Sequence, residues 1–471
     1  MILEAVRQEL VSARRSPVRL TALVVFFAAS ALAMLTGVRF VDDWAASLEE
    51  ARQQQSDSAQ LVRGWFADGV AGPEDRPWVN VAEPLWQDWY AGTRLVREPA
   101  SLAGIATGSL DDSPRVARVN RLANPFLEEG SKIENPELGR TEAVDLIFVL
   151  AVFVPLLVGV LGMGCGAYER ESGLVRLIAV QRGRTSQWFL ARAAAIAMLA
   201  SGAVLGVTSI AVARAGAFDR DGLGMIAIAL LYTTLWAGLL TATAVAARSR
   251  REAALAYGGV WVLLVVLAPT LMSEHALSST VENAGLTNVL DQRAQQYDGY
   301  AEDAAVLVER LYSARPALRT FPAASLESLP PEIERHVYDW SRVQSLVAEH
   351  ETKAVEEHRV MAAAERTMAW SPTVTLTLAV ERLAGRDLRS ATIFRRVVID
   401  AVAERADWVV EQAWRNRPLS LEDFETLMDQ APTKVPATSA SVMPHLTVLL
   451  GWTVVAWAVG VVRVRQRDTE L

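Results

Sequence analysis

The residues best suited to hold a metal ion lie in the stretch HETKAVEEH, where His350 and His358 flank Glu351, Glu356 and Glu357. Imidazoles and carboxylates are the usual ligands of zinc-like ions. On a helix, eight residues separate the two imidazoles by about 80° of rotation and about 12 Å of rise. Two groups so placed cannot share an ion without ligands from elsewhere, and a solvated, charged helix face accounts for them. Cys165 is the sole cysteine and lies among Gly162, Met163, Gly164 and Gly166. It can form no internal disulfide and reads as a small packing residue. The chain has no G-x-S-x-G elbow, H-E-x-x-H, paired C-x-x-C or glycine-rich phosphate loop. We therefore expect no catalytic residue, metal or cofactor. A net charge of −8 gives no basic footprint for nucleic acid.

One polar stretch between two long apolar runs remains, GAYERESGLVRLIAVQRGRTSQWFLAR, from Gly166 to Arg192. Glu169 and Glu171 precede Gly173, and Leu174, Leu177 and Ile178 then recur at helical spacing. Thr185 and Ser186 follow a turn, and Trp188 leads back into apolar sequence. A hairpin between two helices needs only a handful of residues. The surplus predicts a short amphipathic helix presented at a surface, with carboxylates at its start. Those carboxylates either meet basic groups on a partner or cap the helix.

The elements that must position this stretch are membrane spans. Half of the chain is apolar although a fifth is charged. Six runs are long enough to cross a bilayer: residues 18–38, 143–165, 193–213, 223–247, 253–271 and 446–462. The first is too long for a signal peptide's apolar core and lacks a clear cleavage site, so it reads as an uncleaved span. Arginines cluster before the first span, between the second and third, between the fourth and fifth, and after the sixth. With six spans these four segments share one side, which places both termini in the cytoplasm.

The expected fold is an all-α membrane protein with six transmembrane helices and two large, mainly helical extracytoplasmic insertions, at 39–142 and 272–445. Residues 1–17 form an amphipathic elbow helix with Ile2, Leu3, Val6 and Leu10 on one face. Residues 166–192 are a cytoplasmic loop, and 463–471 a cytoplasmic tail. Helices are predicted from Leu286 to Tyr312, over about 40 residues from Pro330, and over LRSATIFRRVVIDAVAERADWVVEQAWRNR. APTKVPATSASVMP reads as a linker, and no alternating run predicts a strand. Trp44, Trp340, Trp370 and Trp414 are among nine tryptophans in the insertions, read first as core packing and interfacial anchors. Pro155 and the glycines around it fit a second span that bends and packs closely, as they fit ordinary membrane-helix composition.

Glu-x-Glu-x-Gly-x-Leu, followed by Ser or Thr and an aromatic near an Arg, resembles the cytoplasmic loop of type-2 ABC transporter permeases. Here it reads Glu169, Glu171, Gly173, Leu174, Thr185, Ser186, Trp188 and Arg192. The resemblance implies a coupling helix that docks on a separate ATP-binding subunit through Glu169, Glu171, Gly173, Leu174, Leu177, Ile178 and Thr185. It also implies a second permease subunit, as a homodimer or heterodimer, within the bacterial inner membrane. Ser371-Pro372, Leu383-Ala384-Gly385, Asp387 and Phe394 further resemble a bacterial subgroup with large outer insertions, near permeases linked to copper-enzyme maturation. Members of that subgroup often carry His before the Phe; RSATIF has none, so that position implies no role here. The other reading of the residues is a membrane-anchored scaffold or sensor whose outer domains bind a partner.

Overall fold

Inside a bilayer the backbone must satisfy its own hydrogen bonds, so each apolar run folds as a helix. A computed structural model describes residues 2–107, 115–123, 144–182, 185–272, 302–326, 328–368, 370–430, 434–436 and 441–468. Six helices among them are long and apolar enough to cross a membrane: Pro17–Asp68, Leu146–Glu171, Thr185–Arg214, Arg220–Val245, Arg250–Met272 and Met443–Gln466. The chain is an all-α membrane protein in architecture, with little strand.

Helix α1 (Ile2–Arg15) lies against the start of the third span. Among its residues of described burial, Ala5, Glu9 and Ala13 are buried, and Ala5 touches Ala191 and Ala195. Leu10, placed by the sequence on an apolar face, is exposed. Small residues allow the two helices to approach closely, and a carboxylate sits among them.

Helix α2 (Pro17–Asp68) begins at Ser16, whose Oγ accepts from Arg19 N at 3.4 Å, and Pro17 fits the first turn. It runs 52 residues without a break, about 78 Å at 1.5 Å per residue. A bilayer core takes up only about 30 Å of this. Beyond it the helix persists because Phe40, Trp44, Leu48 and Ala51 bury one stripe against Val96 and Ala103 of the first insertion. The boundary expected at residues 38–39 is therefore a change of surroundings, not of secondary structure. Gly37 packs on Gly104, where a Cβ would come within 2.0 Å of the facing carbonyl oxygen.

The second span contains a π-helical stretch, Val149–Phe153, followed by α4 (Val154–Gly162). Pro155 has no N–H to give the carbonyl four residues earlier, Ala151. Tyr232 supplies the missing donor: its hydroxyl donates to Ala151 O at 3.0 Å and lies 3.1 Å from Thr373 Oγ1. Tyr257 donates to Pro155 O at 2.6 Å. The irregular turn is thus satisfied by its neighbours, as buried non-helical backbone in a membrane must be.

The insertions fold together. The first contributes α3 (Pro84–Ala91), β1 (Arg94–Arg97) and β2 (Val116–Arg118). The second contributes α10 (Ala304–Ala314), α11 (Pro331–Met368), α12 (Pro372–Leu383), α13 (Leu388–Arg415), α14 (Leu421–Gln430) and β3 (Lys434–Val435). The sheet order is β2-β1-β3, with β1 antiparallel to β2 and parallel to β3. Leu95 pairs with Ala117, and Val96 with Lys434. One core joins Leu95, Val119, Leu311, Val337, Trp340, Val402 and Trp414. Buried charges cross the same seam: Arg121 Nε donates to Asp339 at 2.8 Å, and Asp88 lies 3.5 Å from Arg121 and 3.6 Å from Arg405. Burial pushes the Asp88 carboxyl up, and the two guanidiniums oppose that shift.

Several expectations change here. The linker before the last span supplies β3, and the sheet has three strands too short to show any alternation. Of the stretch expected to be helical from Leu286 to Tyr312, the described part contains the helix Ala304–Ala314, which Asp303 caps; residues 286–301 lie outside the described residues. The long helix from Pro331 runs 38 residues as expected. Trp44, Trp340 and Trp414 are buried, whereas Trp78 and Trp370 are exposed.

Tyr232→Phe should cost about 1–3 kcal/mol, because it leaves the Ala151 carbonyl unpaired in an apolar interior; thermal unfolding in detergent measures it. A second prediction concerns His336, which is buried beside Arg121. Burial and the nearby Arg121 and Arg335 lower its pKa from 6.5 to about 3. The folded form stays neutral while the unfolded chain gains a proton below pH 6.5, so stability falls as the pH drops. Between pH 7 and 5 the loss should be about 2 kcal/mol. His336→Gln should flatten that slope in the same unfolding assay.

Candidate functional site

The polar stretch forms α5 (Ala167–Glu171) and α6 (Leu174–Arg182), ahead of α7 (Thr185–Arg214). Gly166, at φ +83°, turns the second span into α5, and a Cβ there would come within 2.4 Å of Val245 O. Gly173, at φ +75°, turns α5 into α6.

The acidic start does not face outward as a unit. Glu169 is buried; its Oε2 accepts from Gly166 N at 2.7 Å, closing the cap of α5. Its Oε1 accepts from Arg192 Nη1. Arg192 Nε donates to Glu9 Oε1 at 2.6 Å, and Arg19 Nη1 donates to Glu9 Oε2 at 2.9 Å and to Ser12 Oγ at 3.0 Å. The result is an alternating chain, Arg19–Glu9–Arg192–Glu169, joining α2, α1, α7 and α5. Two positive and two negative charges neutralise each other, which lets all four side chains be largely buried.

Arg170 donates through Nη1 to Val245 O and, at 3.0 Å, to Ala247 O, while its guanidinium lies 4.9 Å from the Phe189 ring centre. These carbonyls end the fourth span, where cations are favoured. Glu171 is half exposed and accepts from Arg250 N at 3.1 Å, at the start of α9 (Arg250–Trp261). The Arg250 guanidinium stands 4.1 Å from the Tyr168 ring centre. The segment is thus tied to the first, third, fourth and fifth spans.

Helix α6 divides its apolar residues between two faces. Val175 is buried, and Ile178 packs against the core of the spans. Leu174 and Leu177 are exposed, and Val180 is 85% exposed. Thr185 is buried at the start of α7. Of the residues singled out in the sequence, Leu174 and Leu177 remain at the surface with Glu171 and Gly173; Glu169, Ile178 and Thr185 are used internally. Val180 belongs to the outward row, three residues beyond Leu177, a spacing visible in the sequence. Arg192 and Glu9 also signal their role there, since a charge at the edge of an apolar run calls for a partner.

Elsewhere, His350 is buried and His358 exposed on the same long helix. Among the described residues no group of three or more metal-ligating side chains converges.

Glu9→Gln should cost about 3–5 kcal/mol, because it leaves Arg19 and Arg192 buried with one carboxylate between them. Glu171→Gln, at an exposed pair, should cost less than about 1 kcal/mol. Parallel thermal unfolding of the two variants checks the difference.

No curated protein and no solved structure matches the chain. A family model described as ABC-2 family transporter protein matches residues 4–469. That span takes in α1, all six membrane helices and both insertions, so the chain belongs to the ABC-2 family of transporter membrane proteins.

Proposed function

We propose that the chain is the permease subunit of a type-2 ABC transporter, with α5 and α6 as its coupling element on a separate ATP-binding subunit. The observation that carries this is the outward row Leu174, Leu177 and Val180 on a helix whose other face is anchored to the spans. An exposed apolar row on a short helix fits a partner's groove. The same helix follows α5, whose charges engage the third, fourth and fifth spans directly and the first through Arg192 and Glu9, so a push on α6 would become a tilt of the bundle. Glu171 and Gly173 lie at the rim of this surface and Glu169 behind it.

In this reading both termini and the arginine-rich end face the bacterial cytoplasm, and the joined insertions form an extracytoplasmic domain. ATP hydrolysis on the partner drives export, extraction or mechanical work across the inner membrane. The first and fifth spans have only 17% and 11% of their apolar windows buried, against 67% for the second. Their uncovered faces are left for lipid and for a second permease subunit.

Leu177→Asp or Val180→Asp should reduce retention of the ATP-binding subunit on the purified permease by about tenfold or more, as expected for a central apolar anchor. The melting temperature of the isolated permease should stay unchanged. Undiminished retention in both variants, or no ATPase bound to the wild type, defeats the assignment.

A further inference from the structure

In the insertion domain, a cavity of about 390 Å³ opens between α2, β1, β3 and α14. Four cations line it: Arg52 and Arg63 from α2, Arg94 from β1 and Lys434 from β3. None of the described residues that line it is acidic. This concentration of positive charge stands out in a chain whose net charge is −8.

Carboxylates outside the lining hold three of the four cations in place. Glu425 takes Arg63 Nε at 2.6 Å and Nη2 at 2.9 Å. Glu98 lies 3.1 Å from Lys434 Nζ, and Glu49 lies 3.4 Å from Arg52 Nη1. The pairing with Arg63 lowers the Glu425 pKa. Arg94 N donates to Gln55 Oε1 at 3.0 Å, which leaves Gln55 its Nε2 donor to offer. Ser56 adds a hydroxyl. Guanidinium forks and an ammonium are the groups that recognise phosphate oxygens. Val96, Ala59 and Met428 supply an apolar wall to the same space.

The geometry points to this cavity as a binding site for a small, phosphate-bearing solute, whose carbon portion lies on Val96 and Met428. The apolar part of α2 ends near Val38. Arg52 and Arg63 stand about 21 and 38 Å further along the helix axis. That distance separates the cavity from the headgroups of the protein's own bilayer and favours a free solute. The ligand would touch both insertions at once, because Arg52, Arg63 and Arg94 belong to the first and Met428 and Lys434 to the second. Binding would therefore stabilise the joined domain. This assignment is independent of ATPase docking.

Pyrophosphate is the probe, titrated calorimetrically into the full-length protein in phosphatidylcholine nanodiscs, with thermal unfolding in parallel. Saturable binding with a Kd below about 1 mM is expected, with a melting temperature that rises with pyrophosphate and an affinity that falls with added salt. Arg52→Gln and Lys434→Gln, both at exposed positions, should each weaken binding by about fivefold or more while leaving the ligand-free melting temperature unchanged. Arg310→Gln, at an exposed arginine outside the cavity, should leave binding unchanged. Absence of saturable binding up to about 10 mM overturns the site. So does equal weakening by Arg52→Gln and Arg310→Gln, which would mark diffuse attraction. Adding phosphatidic acid to the nanodiscs tests the source: loss of pyrophosphate binding there would mean that a lipid headgroup fills the cavity, and would overturn the solute assignment.

Discussion

Four charged side chains meet where α1, α2, α5 and α7 converge, and no one of them could stay there alone. A lone guanidinium or carboxylate removed from water costs several kcal/mol, and an alternating row of four offsets much of that cost. Arg19, Glu9, Arg192 and Glu169 make such a row. Glu9 receives both arginines, so α1 is held to α2 and α7 by the same carboxylate. Glu169 spends its second oxygen on the cap of α5, which ties the start of the exposed segment to the interior. The orientation of α6 rests on this arrangement, because only Ser172 and Gly173 separate it from α5.

Tethering and exposure then divide the labour along a short piece of chain. Arg170 and Glu171 reach the ends of the fourth and fifth spans, and Val175 and Ile178 hold the inner face of α6. The remaining apolar residues have only the outside to face. A helix fixed so firmly on one side transmits a displacement better than a loose loop, because packed interiors resist continuous deformation. The second span, next in line, carries a π-helical stretch and Pro155. The Ala151 carbonyl freed by Pro155 is satisfied by Tyr232, and Tyr257 adds a bond to Pro155 O, so a bend there is shared between helices.

At the other end of the bundle, α2 carries the order of the membrane into the insertion domain. Its apolar stripe passes from lipid to Trp44 and Leu48 without interruption, and Arg63 reaches α14. The two insertions, some 130 residues apart in sequence at their nearest edges by the expected boundaries, share one sheet, one core and one set of buried charges. A cavity formed from both is a natural consequence of that shared seam.

The spans were legible because twenty apolar residues in water-excluding surroundings have one stable conformation, and the arginine clusters are consistent with two connecting segments and both terminal segments sharing a side. The long helix from Pro331 and the turn at Gly173 were legible for similarly local reasons. The outward row of α6 was half legible: period 3.6 grouped Leu174, Leu177 and Ile178, yet α6 is too short for periodicity to say which edge of that face meets the core. Packing turned Ile178 inward and left Val180 outside. The strands were invisible, since two to four residues carry no pattern and β3 forms only because β1 offers its edge. Glu169 could equally have capped a helix or met a partner. By itself the sequence determined which segments are helical and that both termini share a side, because hydrophobicity and helix propensity are properties of neighbouring residues. Only the tertiary structure decided that Glu169 pairs with Arg192 and that the two insertions are one domain, because a buried charge is settled by whichever opposite charge the folded chain brings to it.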